Sequence, residues 1–243
     1  MIKLSKLLQN TVGIMPYTRK FIPFSKLVDI LHLVPVCVYL HGSGGFTKNS
    51  KGYMQCMSNM GYLIIAPDNI AYHSDELQKI TYKTTPDTAC SKKNQNIYKY
   101  VTKFRTMETN ALVNYMKTFT SDIVLLGVSE GAIAVSKCNV PVKAKIVCQY
   151  HMKSSYLSQN FTLEKDKHTK VLQIIGELDE FFSRNKKSVH ELTKNACGGK
   201  SIKRKLKGVQ TYIVPNGGHS LMTHPLQRKE VCNVLQQFAK SLI

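Results

Sequence analysis

The sequence LLGVSEGAIAV, residues 125–135, joins an apolar run to a run of small residues through the pattern Gly-x-Ser-x-Gly. Gly127 and Gly131 leave room for a sharp turn between a strand and a helix, and such a turn holds Ser129 in a strained conformation with its hydroxyl exposed. The helix behind the turn would point unpaired amides at any negative charge that develops nearby. The pentapeptide alone is weak evidence for catalysis, because tight turns of any kind use glycine and serine.

Short apolar runs alternate with longer segments of helical periodicity. The runs are almost continuously apolar, as in strands covered on both faces; they are VPVCVYL (34–40), YLIIA (62–66), IVLL (123–126), KIVC (145–148), VLQII (171–175) and TYIV (211–214). Helical spacing relates Phe104, Met107, Ala111, Leu112, Tyr115 and Phe119, and also Val231, Val234, Leu235, Phe238 and Leu242. The alternation predicts an α/β fold with a mostly parallel central sheet and helices on both faces.

The length of 243 residues and the hydrophobic content of 43% fit one large domain. We expect an N-terminal extension over residues 1–33, either a packed helix or a basic targeting segment, followed by the α/β domain over residues 34–243. Residues 69–103 are polar and predict an irregular insertion over one end of the sheet, with room for a short helix. Residues 183–208 are rich in lysine and contain a glycine pair that would end a helix.

The chain is strongly basic, with 34 Lys and Arg against 15 Asp and Glu and a formal charge of +19. Such a charge suits an anionic partner, a membrane surface or nucleic acid. The basic residues are spread along the chain without a recognisable nucleic-acid motif, which favours a solvated, lysine-rich surface. We therefore expect no specific nucleic-acid partner, and the oligomeric state stays open.

The seven cysteines are odd in number, scattered and without a Cys-x-x-Cys pair, which indicates free thiols in a reducing compartment. No apolar run is long enough to cross a bilayer, and the first thirty residues lack the apolar core of a secretory signal. The histidines have no spacing typical of a metal site. These patterns predict a cytoplasmic protein with no metal.

A serine nucleophile requires a base, an acid that orients the base, and donors for the oxyanion. The segment GELDE, residues 176–180, follows the strand VLQII and offers Asp179 as the acid, with Glu177 and Glu180 as rivals. The segment PNGGH, residues 215–219, follows the strand TYIV and offers His219 as the base. The order Ser, Asp, His along the chain is the one expected when the serine lies on a strand-to-helix turn.

The segment HGSGG, residues 41–45, follows the strand VPVCVYL and is a candidate for the oxyanion loop. Its small residues allow backbone amides to face a ligand, so the predicted donors are the amide of Ser43 or Gly44 together with the amide of Glu130. His41 is an alternative base. Its place at the end of an inner strand favours a structural role in holding the loop.

The motifs HGSGG, GVSEG, GELDE and NGGH, in this order, resemble those of the α/β-hydrolase superfamily and are most similar to dienelactone-hydrolase-like esterases. The resemblance covers residues 34–243. It implies that Ser129 is the nucleophile, Asp179 the acid and His219 the base. It also implies that Ser43 and Glu130 stand at the oxyanion-hole positions.

Two residues depart from the family pattern. The dienelactone hydrolases proper carry cysteine at the elbow where this chain has Ser129, so their lactone substrate is not implied. Glu130 is acidic where an aromatic residue, Gln or Met is more usual, and it would add negative charge near the site.

The function expected from these features is cleavage of a carboxylic ester of a small substrate through an acyl-enzyme. No cofactor is expected, because the triad supplies its own nucleophile and base. A thioesterase or acyltransferase on the same triad, and a non-catalytic hydrolase-like binding protein with a basic docking segment, are the alternatives.

Overall fold

The structure, a computed structural model, describes residues 4–17, 21–68, 92–150, 167–182 and 208–242. The strands within these ranges are β1 (Thr11–Ile14), β2 (Phe21–Pro23), β3 (Val36–Leu40), β4 (Leu63–Pro67), β5 (Ile123–Val128), β6 (Ala144–Cys148), β7 (Lys170–Gly176) and β8 (Gln210–Val214). The helices are α1 (Leu4–Gln9), α2 (Lys48–Asn59), α3 (Lys92–Met116), α4 (Glu130–Lys137) and α5 (Pro225–Lys240), with two 3-10 turns at Phe24–Lys26 and Val28–Ile30.

The described strands form one sheet in the order β2-β1-β4-β3-β5-β6-β7-β8. Strands β3 to β8 are parallel to one another, whereas β1 pairs antiparallel with both β4 and β2. The six apolar runs of the sequence coincide with these parallel strands to within two residues at each end. The predicted mostly parallel α/β sheet is confirmed.

Strands β3 to β7 are buried on both faces, because helices pack on each side of the sheet. Val36, Val38 and Leu40 of β3 belong to one hydrophobic core, and the alternate residues Cys37 and Tyr39 belong to the other. This alternation is the two-residue period of a strand. Helices α1, α3 and α4 contribute to the first core, and α2 and α5 to the second.

The strand register brings four chain segments to one edge of the sheet. Leu40 pairs with Gly127 across β3 and β5, Val128 pairs with Cys148 across β5 and β6, and Gly176 pairs with Val214 across β7 and β8. Ligands of parallel α/β sheets bind at the carboxyl ends of the strands. The loops after β3, β5, β7 and β8 therefore meet at this edge.

The N-terminal residues join the sheet, which the sequence did not indicate. The structure has a short packed helix there, α1, followed by β1 and β2, which extend the sheet beyond β4. Strands of four and three residues are too short to produce a periodic signal. Leu27, which lies between β2 and β3 in the chain, is fully buried and packs on Gly13 of β1. A Cβ added to Gly13 would lie 1.9 Å from Leu27 Cδ1.

Helix α3 begins at Lys92, so the last residues of the predicted insertion are helical. Met107, which the periodicity placed on the apolar face, is 46% exposed, while Val101, Leu112 and Met116 are buried. Residues 69–91 of the insertion and residues 183–207 of the lysine-rich segment lie outside the described residues.

We expect the substitution Leu27→Ala to lower the free energy of unfolding by about 2–5 kcal/mol, because it removes a fully buried side chain from the core. Leu33→Ala is the matched control, since Leu33 is 66% exposed and its loss should change the free energy of unfolding by less than about 0.5 kcal/mol. Urea denaturation of both variants measures the difference. Equal stabilities would show that the N-terminal segment does not pack on the sheet.

Candidate active site

The turn after β5 holds Ser129 in a conformation that few residues adopt. Its backbone has φ 55° and ψ −119°, and helix α4 begins at the next residue. A Cβ added to Gly127 would lie 2.4 Å from the Gly131 carbonyl oxygen, and one added to Gly131 would lie 2.2 Å from the Leu40 carbonyl oxygen. Both glycines are therefore required by close approach of backbone to backbone.

Backbone hydrogen bonds fix this turn to the sheet. The Ser129 amide donates to the Cys148 carbonyl at 2.9 Å, and the Ala132 amide donates to the Ser129 carbonyl at 3.0 Å. The loop after β3 passes close by, since a Cβ added to Gly42 would lie 3.2 Å from Ser129 Cβ. The hydroxyl of Ser129 is thus held at the edge where the loops meet.

A continuous chain of hydrogen bonds joins the three sequence-predicted residues Ser129, His219 and Asp179. Nε2 of His219 lies 3.0 Å from Oγ of Ser129. On the other side of the ring, Nδ1 lies 2.8 Å from Oδ2 and 3.0 Å from Oδ1 of Asp179. Because the carboxylate only accepts, Nδ1 carries the proton and Nε2 presents its lone pair to the serine hydroxyl.

The two rival acids are occupied elsewhere. The carboxylate of Glu177 accepts the amide of Asn216 at 3.0 Å, and that of Glu180 accepts the amide of His219 itself at 2.8 Å. Both acids thus hold the backbone of the loop that carries the histidine. Asp179 is fully buried and accepts one further hydrogen bond, from the amide of Phe181 at 3.1 Å.

The electrostatics of the pair follow from burial and mutual contact. Burial of the His219 ring disfavours its charged form, but the charge of Asp179, its hydrogen bond and the charge of Glu180 outweigh this and raise the pKa of His219. Burial also raises the pKa of the Asp179 carboxyl, and the imidazole opposes that rise only in part. The carboxylate is therefore placed to stabilise a positive charge on the imidazole.

The loop after β3 and the turn that carries Ser129 line one cavity of about 150 Å³. Ser43 and Gly44 line it together with Ser129 and His219. The loop turns tightly, because the Gly45 amide donates to the Gly42 carbonyl at 3.1 Å. Glu130 is the first residue of α4, so its amide has no partner within the helix.

His41 is fully buried beneath this loop and does not take the position of a base. Its Nδ1 donates to the Gly42 carbonyl at 2.7 Å, and its Nε2 lies 3.4 Å from a carboxylate oxygen of Asp68. The ring also packs edge-on against Phe46. These contacts fit the structural role expected for His41.

The side chain of Glu130 does not leave an uncompensated charge beside the site, contrary to the expectation from sequence. Arg105, from helix α3, donates through Nη1 to Oε1 of Glu130 at 2.7 Å, and both side chains are almost completely buried. The same guanidinium donates through Nη2 to the carbonyl of His41 at 2.5 Å. Sequence reasoning missed Arg105, because 25 residues and a change of element separate it from Glu130.

Asn49 and Gln149 form a second group that sequence reasoning missed. The amide of Met222 donates to Oδ1 of Asn49 at 2.9 Å, and Nδ2 of Asn49 donates to Oε1 of Gln149 at 2.9 Å. Gln149 directly follows β6, has φ 53° and lines the cavity. These bonds connect the start of α2, the end of β6 and the segment after His219.

Within the described ranges, no group of three or more His, Cys, Asp and Glu residues could hold a metal ion. No helix in these ranges is both long and apolar enough to cross a membrane. The described cysteines are free thiols; they are Cys37, Cys56, Cys138, Cys148 and Cys232. Cys148 lies beside the turn that carries Ser129. Burial raises the pKa of its thiol, which disfavours the thiolate.

The fold is shared with solved structures of α/β hydrolases. Est1E from Butyrivibrio proteoclasticus, solved with ferulic acid, is 14% identical with a TM-score of 0.58 over 96% of this chain and 94% of its own. A putative dienelactone hydrolase from Klebsiella pneumoniae is 14% identical with a TM-score of 0.56 over 83% and 85% of the two chains. XC6422 from Xanthomonas campestris, a serine hydrolase without a lid, is 10% identical with a TM-score of 0.53 over 96% and 88%.

Sequence comparison with curated proteins finds no match. The model of the dienelactone hydrolase family, in contrast, matches residues 29–222, which is most of the chain and spans all four motifs. The chain therefore belongs to the dienelactone hydrolase family and is a hydrolase acting on ester bonds.

Proposed function

We propose that this protein is a serine hydrolase that cleaves a carboxylic ester of a small substrate through an acyl-enzyme. The observation that carries the proposal is the unbroken hydrogen-bond chain from Asp179 through His219 to the hydroxyl of Ser129. Such a chain is the arrangement that activates a serine nucleophile. The small cavity beside Ser129 supports a small substrate.

In the first step, Oγ of Ser129 attacks the ester carbonyl while Nε2 of His219 accepts its proton. The hydrogen bond from Nδ1 to Asp179 fixes the tautomer that makes this transfer possible, and the carboxylate stabilises the imidazolium. The imidazolium then gives the proton to the leaving alcohol. Water then attacks the acyl carbon while Nε2 of His219 accepts its proton, and the imidazolium returns that proton to Oγ of Ser129 as the acid leaves.

The carbonyl oxygen becomes negative in the tetrahedral intermediate and needs donors already in place. The amide of Glu130 and the amide of Ser43 or Gly44 are the proposed donors, because they belong to the two segments that meet at Ser129. Each such donor typically contributes roughly 3 kcal/mol to stabilising the transition state. The glycine-rich loop is therefore as much part of the proposed site as the triad.

The same three residues could serve a thioesterase or an acyltransferase, since these enzymes differ in the acyl group and its acceptor. A purely binding role is disfavoured, because it gives no physical reason for an aligned nucleophile, base and acid. The free thiols among the described cysteines fit the reducing environment of the cytoplasm, which is the proposed location.

Ser129→Ala is expected to lower kcat/KM for p-nitrophenyl esters by at least about 1,000-fold, because it removes the nucleophile. It should also abolish covalent labelling by a fluorophosphonate probe. Ser121→Ala is the matched control, since Ser121 is exposed at the opposite end of β5 and should leave both measurements unchanged. Activity that survives Ser129→Ala would show that another residue attacks the ester.

The rate should depend on pH through His219. We expect kcat/KM to fall as the pH drops through the pKa of His219, because the protonated ring cannot accept the serine proton. Since Asp179 raises that pKa, this fall should lie above the ordinary histidine value of about 6.5.

Asp179→Asn removes the charge that favours the imidazolium, so burial should then shift the fall in kcat/KM to lower pH. The plateau should also decrease by roughly 100- to 10,000-fold, because an amide can hold the wrong tautomer. Asp122→Asn, in a partly exposed ion pair with Lys143 at the opposite end of β5 from Ser129, should alter neither quantity. A pH profile that keeps its position in Asp179→Asn would contradict the pairing.

A further inference from the structure

Arg105 is a fully buried cation on helix α3, whose buried face also holds the polar residues Thr102, Glu108 and Thr109. It is among the largest fully buried side chains of the described residues, and it lies on α3 between the buried residues Val101 and Leu112. A guanidinium keeps its charge in proteins, so its burial requires acceptors on the spot. The position of those acceptors indicates what the residue does.

Two N–H groups of the guanidinium donate to the two segments that supply the proposed oxyanion hole. Nη1 donates to the side chain of Glu130, whose amide is one proposed donor. Nη2 donates to the carbonyl of His41, at the start of the loop that supplies the other donor. Because the guanidinium is planar and rigid, the two hydrogen bonds hold their acceptors at a defined separation.

The junction between these segments is made of closely packed backbone. A Cβ added to Gly131 would lie 2.5 Å from the His41 carbonyl oxygen, the same atom that Arg105 binds. The first turn of α4 and the loop after β3 therefore touch without an intervening side chain at this point. Arg105 adds a directional hydrogen bond to each of these two segments.

Stability alone does not explain such a group. Replacing a buried ion pair with apolar side chains of similar volume is often neutral or stabilising. Apolar side chains would fill the same space, but they would not fix the orientation of a carbonyl or a carboxylate. The buried ion pair is therefore better explained by a need to orient the His41 carbonyl and the Glu130 carboxylate than by a need to fill space.

We infer that Arg105 is a positioning residue that sets the separation of the two halves of the oxyanion hole. The inference rests on the proposed function, because it assigns a role in the same site. Arg105 does not touch the reacting atoms, and it acts through Glu130 and His41. Its loss should weaken binding of the transition state more than binding of the substrate.

The test compares the double variant R105M/E130M, which removes both charges together, with wild type. We expect the folded variant to lose at least about 10-fold in kcat and to change KM by less than about threefold. A trifluoromethyl ketone forms a tetrahedral adduct: Oγ bonds to the ketone carbon, the carbonyl oxygen becomes an alkoxide and His219 takes the proton. Its inhibition constant should therefore rise by about the factor that kcat/KM falls.

Lys103→Met is the matched control, because it removes an exposed cation two residues earlier on α3. It should change neither kcat nor the inhibition constant. Arg105→Lys is the second variant, used if the double variant does not fold: a lysine keeps the charge but cannot make both bonds in the fork geometry, so kcat should again fall with KM nearly constant.

A folded double variant, or Arg105→Lys, with wild-type kcat and wild-type affinity for the ketone would overturn the inference. A fall in kcat without a matching loss of ketone affinity would also overturn it. Fluorophosphonate labelling of Ser129 in each variant separates this failure from failure of the proposed function. In the first case labelling at Ser129 persists, and in the second wild type itself is not labelled there.

Discussion

The contact between the first turn of α4 and the end of β3 is the constraint on which the site depends. Gly131 lies so close to the carbonyl oxygens of Leu40 and His41 that no side chain fits between them. This approach draws the helix onto the sheet within one residue of the strand, and the chain makes that connection through the unusual backbone angles of Ser129. Close packing of two backbones thus puts a hydroxyl at the meeting point of the loops.

The histidine is placed by the same kind of backbone packing at the neighbouring strands. A Cβ added to Gly176 would lie 2.3 Å from the Gly217 carbonyl oxygen, and the Leu178 amide donates to that oxygen at 2.7 Å. The loops after β7 and β8 are therefore joined as one unit before any side chain contributes. Glu177 and Glu180 then hold the amides on the histidine loop, and Asp179 is left to face the ring.

The sequence was informative where a structural requirement is local. Gly127, Ser129 and Gly131 lie within five residues, and Asp179 and His219 each follow an apolar run directly, so strand ends and candidate residues could be located together. It was uninformative where a contact joins distant elements. The helical periodicity of α3 was read from its apolar residues, and that periodicity does not distinguish a buried arginine from an exposed one. Strand β2 has three residues, and its place in the sheet depends on pairing with β1.

The backbone angles of Ser129 also lower the stability of the native state. A non-glycine residue held at such angles raises the free energy of the native state by about 1–3 kcal/mol, a sizeable part of the net stability of a domain. Glycine at this position would relieve most of that strain and would lack the hydroxyl. Selection for heat resistance alone would therefore favour glycine here, so a serine that keeps these angles trades native-state stability for the hydroxyl that the proposed mechanism uses.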